Sequence, residues 1–336
     1  MDSIPVIDFS EIRTNPEAVA QHVFEACKSI GFFYVIHHDI PAEDINKTFA
    51  LAKEFFDLPR EEKQRYAIDK ENHGYSAVYS EKLDPEHQRQ GDHKEGFNFR
   101  MFDNDKAFAP LPKVFEEEEP FINAFTRKCH SVAIQILETF AIALKIPEAQ
   151  GGRDFFKQYH TYEHSGEILR LLKYPKCANK NEQPPPIAEE EEPVRAGAHS
   201  DYGSITLLFQ KDVPGLEVQA SREKWISAPL IDNAIIVNVG DQMELWTHGL
   251  FKSTKHRVTF LPQHKYIDRY SIPFFMHPVD HAPLSPVPSP FVDTTLDKAA
   301  ANEKTGEVLT AGQHLRNRLD ATYTYSDNKE NSPTTA

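Results

Sequence analysis

The chain has 336 residues, with 37 Lys and Arg against 51 Asp and Glu, a formal net charge of −14. That acidic surplus argues against an extended basic groove for nucleic acid or an anionic membrane surface, and no apolar stretch is long enough to cross a bilayer as a helix. Three cysteines, Cys27, Cys129 and Cys177, have no metal-binding spacing and cannot all pair internally, which points to a reducing compartment. With no signal peptide at the start, the expected location is cytoplasmic and no obligate protein partner is evident.

Val19, Val23, Phe24 and Cys27 recur at helical spacing between Pro16 and Ile30, and Gly31 follows as a stop signal. Phe32 to Ile36 reads as a strand, Ala42 to Phe56 as a second amphipathic helix, and Pro59 as the start of a short third. Residues 61–110 are polar with little periodicity, which predicts irregular structure. The acidic run Glu116 to Glu119 reads as a solvated helix start, followed by a long helix from Pro120 to Leu144 with Phe121, Phe125, Val132, Ile136 and Phe140 on one face. Asp154 to Tyr159 predicts one more short helix. Beyond it the sequence turns β-rich. Ser204–Gln210, Phe251–Phe260 and Tyr270–Phe275 are β-branched and aromatic runs that predict strands. Residues 178–192, with three prolines and five glutamates, read as a loop; Asp241, Trp246 and His248 read as turn and packing residues. Gly312 to Tyr323 predicts a final helix and residues 326–336 a disordered tail. No internal repeat is present.

Chemistry concentrates in the β-rich half. Gly197-Ala-His199-Ser-Asp201-Tyr-Gly203 is followed 55 residues after Asp201 by His256, and 13 residues later by Arg269-Tyr-Ser271. Two histidines and one carboxylate are the ligand set of a mononuclear non-haem Fe(II) site, which leaves open positions for a co-substrate and O₂. His199 and Asp201 are two apart, so on a strand both side chains leave one face; Arg269 and Ser271 share a face in the same way. Arg269 and Ser271 offer a cation and a hydroxyl suited to a dicarboxylate. A lone His-x-Asp is weak as a signal, and core histidines would account for His199 and His256 alone. They would not account for the Arg-x-Ser face downstream.

Together with Ile4-Pro-Val-Ile-Asp-Phe9, Ser29-Ile-Gly-Phe-Phe-Tyr-Val-Ile36, Gly74-Tyr-Ser76, Gly91-Asp-His-Lys-Glu-Gly-Phe97 and Leu169-Arg-Leu-Leu-Lys-Tyr-Pro175, these motifs make the chain resemble the 2-oxoglutarate and Fe(II)-dependent oxygenase superfamily, in its isopenicillin N synthase-like group. Val194 to Gln210 is similar to fungal members of the thymine dioxygenase type. The resemblance runs nearly end to end. It implies a mainly β fold with flanking helices, a double-stranded β-helix (jelly-roll) barrel behind a helical N-terminal region. On that basis residues 1–325 form one catalytic unit: a mostly helical part over 1–165, an iron-binding core over 166–280 and a C-terminal segment over 281–325.

The implied activity is an oxidoreductase that oxidises a C–H bond of a small metabolite, in secondary metabolism, with release of succinate and CO₂. Hydroxylation is the usual outcome, with desaturation or cyclisation as variants. The implied cofactors are Fe(II) on His199, Asp201 and His256, 2-oxoglutarate on Arg269, Ser271 and Tyr174, and O₂. Many plant members carry Asn-Tyr-Tyr-Pro where this chain reads Leu172-Lys-Tyr-Pro175, so one polar contact near the co-substrate is absent. Tyr202 and Phe275 are expected to flank a flat substrate, with Phe97 and Phe99 as further pocket candidates. If Tyr174 faces the cavity, alternation puts Arg170 there too, needing a partner such as Glu167 or the substrate. Three other readings compete: an oxidase that anchors its substrate without 2-oxoglutarate, a zinc hydrolase, which would leave Arg269 without a role, and a binding or sensor protein with a vestigial site.

Overall fold

The computed structural model describes residues 3–163 apart from 86 and 89, and residues 166–177, 194–293 and 308–322, with no side-chain detail at 321 and 322. The expected loop over 178–192 and tail over 326–336 lie outside these residues. Among the described residues the strands form two sheets. The larger comprises β1 (Val6–Asp8), β2 (Phe32–Ile36), β3 (Gly74–Ser76), β4 (Glu95–Arg100), β5 (Ile168–Tyr174), β7 (Ile205–Lys211), β10 (Ile235–Val239) and β12 (Arg269–Met276), in the order β1-β2-β10-β7-β12-β5-β4-β3. The smaller comprises β6 (Val194–His199), β8 (Leu216–Ser221), β9 (Lys224–Ser227) and β11 (His256–Thr259), in the order β6-β11-β8-β9. This is the jelly-roll expected from the sequence, with the sheets facing each other and neither closed on itself.

Five helices precede the first strand of the expected core: α1 (Pro16–Ser29), α2 (Ala42–Phe56), α3 (Arg60–Gln64), α4 (Lys113–Glu116) and α5 (Glu119–Ala143). Two more follow β10 and the last strand: α6 (Asp241–Trp246) and α7 (Ala311–Thr322). Strands β1 to β4, all within the N-terminal 165 residues, form both edges of the larger sheet. Two of them, β3 and β4, lie in the stretch expected to be irregular. Between Glu148 and Tyr159 the chain makes short 3₁₀ turns where one helix was expected over Asp154–Tyr159.

Alternation along the central strands organises the interior. On β12, Ile272, Phe274 and Met276 face the helices, whereas Arg269, Ser271, Pro273 and Phe275 face the space between the sheets. On β5 the split is Leu169 and Leu171 against Arg170, Leu172 and Tyr174. On β10 it is Ile235, Val237 and Val239 against Ile236 and Asn238. Each large apolar side chain on the helix-facing side contributes about 1.5–3 kcal/mol by burial. On the opposite faces of β2, β8 and β9, Phe32, Tyr34, Leu216, Val218 and Ile226 close one end of the inter-sheet space. Gly31 makes the turn from α1 into β2 with φ +70, and a Cβ there would lie 1.9 Å from the Lys252 carbonyl oxygen. Only glycine satisfies both conditions.

The same alternation corrects the expectation for Phe97 and Phe99. Both face the helix side of β4, where Phe97 meets Phe55 at 5.0 Å, Phe115 at 5.0 Å and Phe99 at 4.8 Å between ring centroids. Asn98 holds the cavity side in their place. Phe97 is fully buried, so Phe97→Ala is expected to lower the unfolding free energy by about 3–5 kcal/mol in denaturant titration. A loss well below that range would count against its place in the aromatic core.

Candidate active site

His199 is the last residue of β6 and His256 the first of β11, and the two are direct cross-strand partners. Asp201 lies in the turn beyond β6, so it joins the histidines through a loop and not by sharing a strand face with His199 as expected. That turn is fastened from below: the Asp241 amide donates to the Asp201 carbonyl at 2.8 Å. Gly240 sits so close beneath it that a Cβ would meet the Gly203 carbonyl oxygen at 2.3 Å.

The nitrogen and oxygen atoms that His199, Asp201 and His256 offer all lie within 4.8 Å of one another. Asp201 Oδ1 stands 3.8 Å from His199 Nε2 and 3.6 Å from His256 Nε2. His199 Nδ1 is 2.8 Å from the Gly197 carbonyl oxygen and His256 Nδ1 is 3.3 Å from that of Thr254. A carbonyl only accepts, so each Nδ1 carries the proton and each Nε2 presents its lone pair inward. Burial, reinforced by His256, lowers the His199 pKa to about 4, which leaves the ring neutral near pH 7. Burial alone would raise Asp201, but His256 and His199, with hydrogen bonds from Thr206 and Asn238, bring it below the usual carboxylate value. Two imidazole nitrogens and one carboxylate oxygen fit a divalent transition metal.

From this cluster a narrow cavity of about 60 Å³ runs between the sheets to Arg269, lined also by Phe32, Leu172, Tyr174, Ser271 and Phe275. Arg269 is 1% exposed and lies 4.8 Å over the Tyr174 ring. Its guanidinium donates to Gln210 Oε1 at 2.9 Å and Ser271 Oγ at 3.3 Å; its Nε has no partner. No carboxylate pairs with it among the described residues. Burial lowers its pKa, yet an arginine stays charged, so this is a buried cation turned towards the cavity with an unfilled demand for an anion.

A second cavity, of about 120 Å³, opens on the other side of His199 and Asp201. Tyr202 and Phe275 line it, with Leu315 and Leu319 of α7, Asn98, Lys94, Glu81 and His277. Arg170 also lines it, but its partner is Glu81, which it contacts through Nη2, with Ser76 Oγ at 3.2 Å. The suggested partner Glu167 faces away and pairs with His130 Nδ1 at 3.0 Å. Burial would raise Glu81, but Arg170 and Lys94 outweigh it and hold its pKa at about 2. Lys94 in turn pairs with Asp92 and, at 3.2 Å, with Glu81. Sequence reasoning missed this network, as well as Gln210, Thr206 and Asn238, and, although it read the C-terminal helix, it did not place that helix on the cavity wall.

Comparison with known proteins adds the family. Residues 4–117 match the N-terminal family described as non-haem dioxygenase in morphine synthesis, and residues 165–278 match the 2OG-Fe(II) oxygenase superfamily. A UPF0676 protein of Schizosaccharomyces pombe is 37% identical over 332 residues, covering 96% of this chain and 94% of its own. A 1-aminocyclopropane-1-carboxylate oxidase of Dictyostelium discoideum is 30% identical over 83% of this chain and 82% of its own. Among solved structures, the full-length thymine dioxygenase of Neurospora crassa in complex with α-ketoglutarate and 5-formyluracil superposes with a TM-score of 0.77 at 29% identity, covering 95% of this chain and 96% of the other. With the two family matches, a 37% identical relative along almost its whole length and a histidine–aspartate–histidine cluster between two jelly-roll sheets, the chain belongs to the 2-oxoglutarate- and Fe(II)-dependent oxygenases.

Proposed function

We propose that His199, Asp201 and His256 hold Fe(II), and that Arg269, Ser271 and Tyr174 hold the distal carboxylate of 2-oxoglutarate in the cavity that joins them. The observation that carries this reading is Arg269: a fully buried guanidinium, with no acidic partner among the described residues, opening on the same cavity as the metal-binding cluster. Fe(II) with 2-oxoglutarate and O₂ supplies the oxidising power that hydroxylates a C–H bond while succinate and CO₂ are released. The protein's part is to bind and orient. Gln210 fixes the Arg269 fork from one side, Ser271 offers a hydroxyl beside it, and Leu208, Leu216, Val258 and Pro273 exclude water from the channel between.

For the substrate we propose a small neutral or anionic molecule with a planar portion and a carbonyl edge. Tyr202 and Phe275 would supply aromatic faces and Leu315 and Leu319 an apolar wall. On the facing wall Asn98 and Arg170 are cross-strand partners on β4 and β5, and Asn98 Oδ1 is buried without a hydrogen bond among the described residues. Because Glu81 and Asp92 balance Arg170 and Lys94, that wall carries paired charges and suits hydrogen-bonding groups better than a free cation. The Neurospora enzyme, whose complexes hold thymine and 5-formyluracil, supports a flat heterocycle. Three buried cysteines, none in a disulfide among the described residues, support a reducing, cytosolic setting, and no helix among the described residues is long and apolar enough to cross a membrane.

Three measurements test this reading. His256→Ala is expected to abolish turnover and Fe(II) binding by anaerobic titration; near-normal turnover would remove His256 from the centre. Arg269→Lys keeps the charge but loses the fork, so the KM for 2-oxoglutarate should rise about ten- to a hundredfold, the equivalent of about 1.5–3 kcal/mol, with Fe(II) affinity intact. An unchanged KM would sink that assignment. Tyr202→Ala and Phe275→Ala should impair the acceleration of succinate release by planar cyclic amides and aromatic acids, and leave slow uncoupled succinate formation in place. Full coupled activity in both variants would put the pocket elsewhere.

A further inference from the structure

Asp201 presents its two carboxylate oxygens to different surroundings. Oδ1 faces the two histidine Nε2 atoms. Oδ2 accepts from Thr206 Oγ1 at 2.6 Å and from Asn238 Nδ2 at 2.7 Å. The two donors are direct cross-strand partners on β7 and β10, and Thr206 is 3% and Asn238 2% exposed. A carboxylate oxygen has two in-plane lone pairs, so two short hydrogen bonds from buried donors leave Oδ2 nothing to give a metal. An aspartate free to use both oxygens would take two positions on a six-coordinate ion, and with two histidines would leave two. A keto acid that chelates through two atoms would then fill the ion, with no position for O₂.

We propose that Thr206 and Asn238 are positioning residues for the metal centre: they commit Asp201 Oδ2 to the protein, restrict the carboxylate to one metal-binding oxygen, and so keep the position that O₂ needs. This rests on the reading of His199, Asp201 and His256 as the Fe(II) centre. The donors also hold the Asp201 side chain rigidly although it stands on a loop, which is how a turn residue reaches the precision a metal site requires.

The test is a Co(II) titration of the metal-free full-length protein, followed by its visible absorption, with Thr206→Val, Thr206→Ser and Asn238→Leu. Thr206→Val and Asn238→Leu are expected to weaken Co(II) binding about ten- to a hundredfold, while Thr206→Ser, which keeps the hydroxyl, stays within about threefold of wild type. With Fe(II) loaded, the KM for O₂ in uncoupled succinate formation should rise in the first two variants while the KM for 2-oxoglutarate holds. Circular dichroism of the metal-free variants checks folding, and Asn238→Ala replaces the leucine variant if that one does not fold. Unchanged Co(II) affinity in the folded variants would overturn the proposal. So would equal losses in Thr206→Ser and Thr206→Val, because packing and not the donor would then be responsible. A wild-type protein that binds no Co(II) would overturn the metal centre itself and this inference with it, whereas His256→Ala losing Co(II) while Thr206→Val and Asn238→Leu retain it would leave the centre standing and reject only the positioning role.

Discussion

The two-residue repeat of the pleat is the constraint on which the rest depends. Each central strand of the larger sheet is buried on both sides, so its two faces serve different ends: one packs against helices and the other looks into the inter-sheet space. A slip of one residue in β12 would turn Arg269, Ser271 and Phe275 into the helix layer and bring Ile272 and Phe274 into the cavity. The apolar face therefore fixes the register, and the register places the polar groups. Stability and chemistry are specified by alternate letters of the same strands.

What the helix-facing side gains, the cavity side partly gives back. Arg269, Lys94, Arg170, Glu81 and Asp92 are all withdrawn from water, and each buried charge carries a desolvation cost of several kcal/mol before its partners are counted. Four of these five offset one another in a paired network. Arg269 finds no such partner among the described residues, where its polar contacts are an amide oxygen and the hydroxyls of Ser271 and Tyr174. A cation left in this condition gives an arriving dicarboxylate a return that an already satisfied arginine could not. The same reasoning separates the two ends of the inter-sheet space, one demanding charge and the other, beyond Asp201, offering charges already balanced.

Much of this was legible in the sequence, because it follows from residue type and spacing. The strand of β2 and the span of α2 were read with their observed ends, and His199, Asp201, His256, Arg269 and Ser271 were named from ligand chemistry and spacing. The misses have physical causes. Glu95-Gly-Phe-Asn-Phe-Arg100 is a strand whose aromatic residues at alternate positions mark its packed face; its glycine and charges masked that pattern, and Asn98, the residue between, was overlooked. Glu167 stands three residues before Arg170, an odd interval that sends it to the other side of β5, so alternation alone argued against that pairing. The true partner, Glu81, is 89 residues away, a distance only folding closes. Asn238 interrupts the apolar run Ile235–Val239 and was readable as a polar group with a buried task. Asp201 defied the strand argument because β6 ends at His199.

The C-terminal helix has a consequence of its own. Leu315 and Leu319 line the larger cavity from α7, Arg318 lies 4.6 Å over the Tyr202 ring, and the same guanidinium reaches Ser200 Oγ at 3.4 Å. Leu315, Arg318 and Leu319 belong to none of the strands that carry His199, His256 or Arg269. Under the substrate assignment proposed above, one wall of the recognition site would thus be written in a stretch of the chain separate from the metal-binding and co-substrate residues. Drift in α7 can reshape what is admitted without disturbing how it is attacked, so lineages that share this reaction centre are free to diverge in diet by editing one short terminal helix.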